Sequence, residues 1–294
     1  MNQYHPFRSE AARDEYLAFY DRRAERWPIP SSCVTVETSC GATFVRVSGP
    51  DGAPPLVLLP GMSSSGLMWE TLIEPLSRRH RTYAVDNVND VGRSVGTRPM
   101  RRARDFTDWL DELLTALALG DGADLMGMSY GAWITAHMAL RHPERVRKTV
   151  WLAPAGVVQR VSWLWIVRAL LAGLHRSLHR NFTDWMFADA VKTTAGRRIA
   201  DELIEDTRVM MRCYERRPTA MPTAMSDDEL RSIRAPSLYL VGENETVCSA
   251  RKALRRLRAV APQRRAEIIP GAGHDLPIVQ AERVTETVLA FLAA

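Results

Sequence analysis

The chain has 294 residues, enough for one domain with an insertion or for two domains, and its 46% hydrophobic and 25% charged residues are ordinary for a globular protein. Its formal charge is +5, but the basic residues are scattered along the chain. The densest group, at 251–258 with Arg264 and Arg265, has no interleaved aromatic residues. We therefore interpret that group as the solvated face of a helix and expect no nucleic-acid partner.

Four cysteines lack the spacing of a CxxC pair or a metal site, namely Cys33, Cys40, Cys213 and Cys248. We expect reduced thiols in a cytoplasmic protein with no metal. The first ten residues lack the pattern of a signal peptide. The apolar stretch VSWLWIVRALLAGL at 161–174 is shorter than the roughly 18 residues that span a bilayer and contains Arg168, so stable membrane insertion is not expected.

The predicted elements begin with a helix at 9–26, which WPIP ends, and two strand-like runs at 34–38 and 42–48 joined by a tight turn at Cys40 and Gly41. Short apolar runs typical of buried strands then alternate with helical patterns. The strands are predicted at 55–60, 81–86, 123–128, 148–154, 237–242 and 265–270, and the helices at 66–79, 105–119, 129–141, 249–260 and 279–293. This alternation predicts an α/β fold with a mostly parallel central sheet, helices on both faces, and the first two strands as an antiparallel edge.

The alternation stops between residues 156 and 225, where amphipathic stretches rich in Trp, Leu and Met replace the apolar strands. We interpret these residues as a helical cap inserted into one α/β domain, which consists of residues 1–155 and 226–294.

A candidate nucleophile lies in GMSYG at 127–131, which matches G-x-S-x-G between an apolar strand and a helix. A sharp turn there would hold Ser129 in a disfavoured backbone conformation, and Gly127 and Gly131 would avoid collisions with the neighbouring strand and helix. Glycines and a serine also mark ordinary turns. The strand-turn-helix context favours the nucleophile over the turn.

A serine hydroxyl needs a base to become nucleophilic, and His274 is the candidate. It lies in GAGHDLP, a glycine-rich loop after the last predicted strand, and among the seven histidines it alone follows a sheet strand in this way. The acid that would orient the imidazole should follow the preceding strand, where ENETV offers Glu243 and Glu245. We favour Glu245, because it lies further past the strand and can turn towards the histidine, with Glu243 as the alternative and Asp275 as a weaker one.

The oxyanion hole is expected from the loop after strand 55–60 and from the residue after the nucleophile. These positions assign the backbone N–H groups of Met62 and Tyr130. The serines at 63–65 are interpreted as a polar loop that caps the next helix.

Six stretches together resemble the α/β-hydrolase superfamily over about residues 34–155 and 226–294: LLPGMSSSGLMW, YAVDNVNDVGRS, DLMGMSYGAW, RHPERV, LYLVGENETV and PGAGHDLP. They look most like bacterial carboxylesterase-like serine hydrolases. The resemblance implies a triad of Ser129, Glu245 and His274 and no metal or organic cofactor. The chain departs from the family at Pro60-Gly61, where His-Gly is common, and in DNVNDVGRS, where Gly92 comes late.

The expected function is hydrolysis of a carboxylic ester of a small apolar substrate through an acyl-serine intermediate. The alternatives are a thioesterase, a lactonase, a C–C hydrolase, an acyltransferase or cyclase of a biosynthetic pathway, or a silent small-ligand binder of the same fold. The predicted pocket residues are Trp163, Trp185, Met186 and Met210, although for each residue taken alone, packing of the cap on itself and on the core is the favoured explanation. The expected partner is the ester-like substrate, and a homodimer is left open.

Overall fold

The computed structural model describes residues 6–120, 122–215 and 219–294, so the first five residues and 216–218 of the predicted cap lie outside the described part. Within it, nine strands form one sheet. The strands are β1 (Ser31–Thr38), β2 (Gly41–Ser48), β3 (Pro55–Leu59), β4 (Arg81–Val85), β5 (Val95–Gly96), β6 (Ala123–Met128), β7 (Val146–Leu152), β8 (Ser237–Gly242) and β9 (Arg265–Ile269).

The sheet has the order β1-β2-β4-β3-β6-β7-β8-β9, with the short β5 paired to β2. All pairs from β4 to β9 are parallel, whereas β2 is antiparallel to β1, β4 and β5. The predicted mostly parallel sheet with an antiparallel edge is therefore confirmed.

The helices are α1 (Glu10–Ala24), α2 (Ile73–Ser77), α3 (Ala103–Ala116), α4 (Tyr130–Arg141), α5 (Trp163–Ala172), α6 (Arg176–Met186), α7 (Thr194–Cys213), α8 (Asp227–Ser232), α9 (Ala250–Val260), α10 (Leu276–Val279) and α11 (Ala281–Ala293), with 3-10 turns at Gly66–Thr71, Pro143–Arg145 and Ala190–Lys192. No helix in these described ranges is both long and apolar enough to cross a membrane.

Both faces of the sheet are buried, which explains the continuously apolar strands. Along β3, Leu56 and Leu58 join one hydrophobic cluster with α2 and α11. Their neighbours Val57 and Leu59 point the other way, into a cluster with α3, α4 and α9. Because successive strand residues face opposite sides, an apolar run here gives the sheet two cores.

Two predicted helices differ from the structure for local reasons. The segment 66–79 is broken into a 3-10 turn and α2, because Pro75 has no N–H and its ring would clash with the carbonyl four residues earlier in a continuous helix. Helix α3 ends before Gly120 because Ala118 adopts φ +57°. The N–H groups of Ala118 and Leu119 then close on the carbonyls of Thr115 and Leu114, the pattern of a Schellman motif.

The basic group at 251–258 lies on α9, and several of its arginines are exposed as expected, but Arg264 is not part of a solvated face. It is buried and donates hydrogen bonds to the carbonyls of Leu230 and Ile233 and to the Ser237 hydroxyl. Its guanidinium lies over the Trp151 ring. Burial lowers the pKa of Arg264 to about 10.

The chain between β7 and β8 forms α5 to α8, and its two ends lie side by side. A β-bridge joins Val157 to Ala224, and Met225 N donates to Val157 O at 2.8 Å. Helix α1 packs against α7, where Arg23 donates to the carboxylates of Glu202 and Asp206 at 2.6–3.0 Å. The N-terminal helix and this segment therefore form one wall.

Candidate active site

Ser129 lies on a sharp corner between β6 and α4, with φ +52° and ψ −109°. A non-glycine residue with positive φ is strained, and such strain persists only where neighbouring structure imposes it. Here Ser129 N donates to Leu152 O at 2.9 Å, while Ser129 O accepts from Ala155 N at 3.2 Å. The corner therefore holds the serine by its backbone.

The two glycines are required by backbone packing. A Cβ on Gly127 would lie 2.2 Å from the carbonyl carbon of Gly131, and a Cβ on Gly131 would lie 2.1 Å from Leu59 O. Neither contact can be relieved by a side-chain rotation, because both involve main-chain atoms. The strand, the helix and the end of β3 consequently approach one another around Ser129.

His274 and Glu245 meet beyond the ends of β9 and β8. Both Glu245 oxygens lie within hydrogen-bonding distance of His274 Nδ1, at 3.1 Å for Oε1 and 3.0 Å for Oε2. Because a carboxylate only accepts, Nδ1 carries the proton and Nε2 is left as the acceptor of the neutral ring. Thr246 N and Val247 N also donate to Glu245 Oε1, both at 2.8 Å, and fix the carboxylate.

The pair is buried, with 7% of the His274 side chain and 1% of the Glu245 side chain exposed. Burial lowers the pKa of His274, but the Glu245 charge and its hydrogen bond outweigh burial, with a smaller contribution from Asp275. The net result is a His274 pKa above its ordinary value of 6.5.

The two alternative acids do not contact the imidazole by hydrogen bonds. Glu243 is 46% exposed and faces Arg251 at 3.9 Å. Asp275 is buried, but its oxygens accept from the N–H groups of Gly273, Asp189 and Ala190 at 2.7–3.1 Å. Asp275 therefore joins the loop of His274 to the chain at Asp189 and Ala190, in the segment between β7 and β8.

Ser129 and His274 line the same cavity, which has a volume of about 500 Å³. Among the described residues, no hydrogen bond joins Ser129 to the imidazole, so the structure brings them to one site without direct contact. Nucleophile–base hydrogen bonds are often long in enzymes without substrate and shorten when it binds.

The loop after β3 lies beside the serine, since a Cβ on Gly61 would be 3.7 Å from Ser129 Cβ. It presents Met62, whose N–H has no acceptor within the described part of the chain. Tyr130 is the first residue of α4, so its N–H has no partner within the helix. Both predicted oxyanion donors therefore border the corner.

Asp90 anchors this loop, a feature that the sequence analysis missed. Its Oδ2 accepts from Ser63 N and its Oδ1 from Val91 N, both at 2.9 Å, while Ser63 itself has φ +59°. Burial raises the pKa of Asp90 to about 7, against the effect of those two hydrogen bonds and together with repulsion from Asp86. An aspartate in DNVNDVGRS has no sequence signal that would reveal this contact.

The cavity wall differs from the predicted one. Met186 and Met210 line it, but Trp163 and Trp185 do not. Trp163 is 74% exposed at the first turn of α5, and Trp185 packs against Phe182 beneath Arg168. The segment between β7 and β8 instead contributes Trp165, Phe182, Phe187 and Leu203 to the wall, and α1 contributes Tyr16, Phe19 and Tyr20. The spacing of Tyr16, Phe19 and Tyr20 marks one face of α1, but that spacing alone does not place the face at the cavity.

No group of three or more His, Cys, Asp or Glu side chains among the described residues has the geometry to hold a metal ion. Cys33 is exposed and the other three cysteines are buried and unpaired.

Comparison with known proteins gives one consistent result. A model of the Alpha/beta hydrolase family matches residues 56–287. The chain is 32% identical over 294 residues to carboxylesterase YbfK of Bacillus subtilis, covering 96% of each chain. It is also 32% identical over 292 residues to the uncharacterized carboxylesterase nap of the same organism, covering 95% of this chain and 92% of the relative. The crystal structure of naproxen esterase (carboxylesterase NP) from Bacillus subtilis superposes with a TM-score of 0.88 at 30% identity, covering 97% and 99% of the two chains. The chain therefore belongs to the alpha/beta hydrolase family, as its motifs indicated, and is an α/β-fold hydrolase.

Proposed function

We propose that this protein is a carboxylesterase that cleaves an apolar carboxylic ester through an acyl-serine intermediate. The observation that carries the proposal is the buried Glu245–His274 pair at the cavity that also contains Ser129. A carboxylate that fixes Nδ1–H leaves Nε2 as a base, and a base is what an inert serine hydroxyl lacks.

In the first half of the proposed reaction, His274 Nε2 takes the Ser129 proton as Oγ attacks the ester carbonyl carbon. The carbon–oxygen bond to the alcohol then breaks, and the imidazolium returns its proton to the leaving alkoxide. Water attacks the acyl-serine in the same way, releasing the acid and regenerating the hydroxyl. Glu245 stays ionised and stabilises the imidazolium in both halves.

The negative charge that develops on the carbonyl oxygen would be met by the N–H groups of Met62 and Tyr130. Tyr130 begins α4, so the positive end of the helix dipole is directed at the same point. Donors held by the backbone need no reorganisation during the reaction, which makes this a large contribution to rate.

The nature of the substrate is supported by the cavity and by the relatives. The cavity wall is mainly apolar, with aromatic residues from α1, α5 and α6, and we propose that residues 156–225 act as a cap over it. Two relatives that align over nearly the whole chain carry the name carboxylesterase. A serine at the corner disfavours haloalkane dehalogenase and most epoxide hydrolase chemistry, which uses aspartate there.

Labelling with an active-site fluorophosphonate tests the proposal. Wild type should be labelled and should hydrolyse p-nitrophenyl esters faster than thioesters or lactones, whereas Ser129→Ala should lose labelling and at least ~10^4-fold in kcat. Ser64→Ala is the matched control, since Ser64 lines the same cavity and should retain both activities.

Absence of labelling in a folded wild type would contradict the proposal and favour a ligand binder of this fold. Faster turnover of thioesters or lactones than of esters would keep the mechanism but replace the substrate. Acyl transfer to an added alcohol in preference to water would identify a transferase.

A further inference from the structure

The outer side of α5 is an unusually exposed apolar surface. Trp163, Leu170 and Leu174 are 74%, 71% and 74% exposed, and Val167 lies between them at 40%. Trp163, Val167 and Leu170 are spaced three or four residues apart, which puts them on one side of α5, and Leu174 follows two residues after its end. Scattered apolar residues on a surface need no explanation, but a contiguous group of large ones marks a contact surface.

The opposite side of the same helix is also apolar, because Trp165, Ala169 and Ala172 line the cavity. A helix that is apolar around its circumference is normally covered on all sides. Among the described residues, nothing covers the outer side of α5. Exposure of this side is therefore the feature that needs an explanation.

The surroundings of this surface carry positive charge. The sequence from 156 to 183 contains no Asp or Glu but has Arg160, Arg168, Arg176 and Arg180. Arg180 pairs with Asp201, whereas Arg160 and Arg176 are exposed and form no ion pair within the described ranges. Arg168 lies over the Trp185 ring at 4.6 Å. Arg160 and Arg176, which precede and follow α5 in the chain, are thus exposed cations without a matching acid among the described residues.

We propose that this face of α5 docks on a lipid surface that carries anionic headgroups. The apolar side chains would enter the boundary between headgroups and acyl chains, while the arginines reach the headgroups. The helix would lie on the membrane and not cross it. Since its inner side lines the cavity, docking would put the cavity next to a reservoir of apolar molecules.

Charge argues against a second copy of the chain as the occupant. A two-fold contact through α5 would bring the same face of both copies together. Arg160 and Arg176 of one copy would then lie near the same arginines of the other, and these like charges would repel. An anionic surface instead supplies the opposite charge to every one of these groups. An acidic protein partner would also be complementary, and the experiment separates it from lipid.

The test is flotation of the full-length protein with vesicles of phosphatidylcholine alone or with about 30% phosphatidylglycerol. We expect binding to the anionic vesicles, weak binding to the neutral ones, and release in about 0.5 M salt. Leu170→Glu/Leu174→Glu should lower the bound fraction on anionic vesicles by ~10-fold or more.

A matched pair of charge reversals separates this surface from general basicity. Arg160→Glu/Arg176→Glu should also reduce binding by ~10-fold or more, since each cation near the surface adds to the attraction. Arg255→Glu/Arg258→Glu changes the net charge equally on exposed positions of α9 and should leave binding within ~2-fold of wild type. Thermal unfolding and hydrolysis of a soluble ester check that every variant is folded.

Absence of binding to anionic vesicles by the folded wild type would overturn the proposal. So would equal loss of binding in both charge-reversal variants, because the attraction would then be non-specific. A concentration-dependent dimer that Leu170→Glu/Leu174→Glu converts to monomer, without vesicle binding by wild type, would assign the surface to a second copy. The readout is binding, so it stands or falls separately from the proposed esterase activity.

Discussion

Glu245 holds His274 with both carboxylate oxygens, at 3.1 and 3.0 Å from Nδ1, in a contact that is almost entirely buried. In Glu245→Gln, an amide N–H₂ can face Nδ1 and impose the tautomer that has its proton on Nε2, where the base must be unprotonated. We therefore expect kcat to fall by ~10^4-fold with little change in KM, measured by steady-state hydrolysis of a p-nitrophenyl ester.

Glu243→Gln is the control for this change, because Glu243 is two residues away, half exposed and turned towards Arg251. It should keep kcat within ~2-fold of wild type, as expected for a surface carboxylate that does not contact the imidazole. A large loss of kcat in Glu243→Gln, together with a wild-type kcat in Glu245→Gln, would show that Glu243 is the acid.

The raised pKa of His274 predicts a pH dependence for the proposed activity. The ring must be neutral to act as a base, so kcat/KM should fall with one proton as pH drops through a midpoint above 6.5. In Glu245→Gln, burial would act without the opposing carboxylate, and the midpoint of the residual activity should move to lower pH. Because the pKa of Asp90 is about 7, Asp90→Asn is the control and should retain the wild-type midpoint.

The same shift predicts a pH dependence of stability. The folded-state pKa of His274 lies above its unfolded value of 6.5, so protonated His274 stabilises the fold. That contribution is fully present below 6.5 and is lost as pH rises through the folded-state pKa. His274→Asn should therefore lower the free energy of unfolding more at about pH 5.5 than at about pH 9, measured in urea. A difference that grows with pH would contradict the direction of the shift.

Asp90→Asn tests whether the contact with Ser63 positions the loop that carries Met62. The amide offers one acceptor oxygen where the carboxylate offers two, so either Ser63 N or Val91 N loses its partner. Because removing an oxyanion donor outright costs ~10^2-fold or more, we expect a displaced one to lower kcat by ~10-fold with KM nearly unchanged. Asp51→Asn, at a carboxylate that is 93% exposed, is the control. An unchanged kcat in Asp90→Asn would remove Asp90 from the positioning groups.

Narrowing the cavity should change selectivity. Ala169 lies on its wall, and Ala169→Phe should lower kcat/KM for bulky apolar esters by ~10-fold or more while hydrolysis of an acetate ester stays within ~2-fold. Ala188→Phe adds the same bulk at an exposed position that does not line the cavity, so it should affect neither substrate. Equal losses on both esters in Ala169→Phe would indicate general distortion.

Arg264 should be a stabilising residue and its neighbour Arg265 should not. Arg264→Met would leave the buried carbonyls of Leu230 and Ile233 without their donor, which should lower the free energy of unfolding by about 3 kcal/mol. Arg265 is about half exposed and pairs with Glu267 on the surface, and Arg265→Met should cost less than about 1 kcal/mol. Urea denaturation compares the two, and equal losses would contradict the buried role of Arg264.

The fold was predictable because two features of the sequence indicate its strands: they are short apolar runs, and they alternate with helical patterns. Leu56 to Leu59 are all apolar since both sides of β3 are covered, and the shortness of the run and its flanking prolines favour a strand over a buried helix. The ends of the helices were harder to predict from the sequence. Helix α3 ends at Ala118 in a left-handed conformation, with hydrogen bonds from Ala118 N to Thr115 O and from Leu119 N to Leu114 O, and an alanine gives no sequence signal for such an end.

The candidate site likewise contains residues that the sequence predicted and contacts that it did not. Ser129, His274 and Glu245 follow strand ends, so neighbouring parallel strands bring them to one edge, and their residue types carry the chemistry. Contacts between distant loops were not accessible: Asp90 reaches Ser63 across 27 positions of sequence. The wall from α1 was missed for a related reason: the spacing of Tyr16, Phe19 and Tyr20 marks an apolar face, but the spacing does not show that this face packs against α7 at the cavity.

The bridge between Val157 and Ala224 bears on how the segment between β7 and β8 can vary in evolution. Because this bridge holds the two ends of the stretch between Val157 and Ala224 side by side, we expect that changes in the length of that stretch, or a graft in its place, need not displace β7 or β8. A graft would also have to carry α1, since Arg23 ties that helix to α7. Substrate preference can then be inherited as a unit made of two separate stretches, while the corner at Ser129 stays with the sheet.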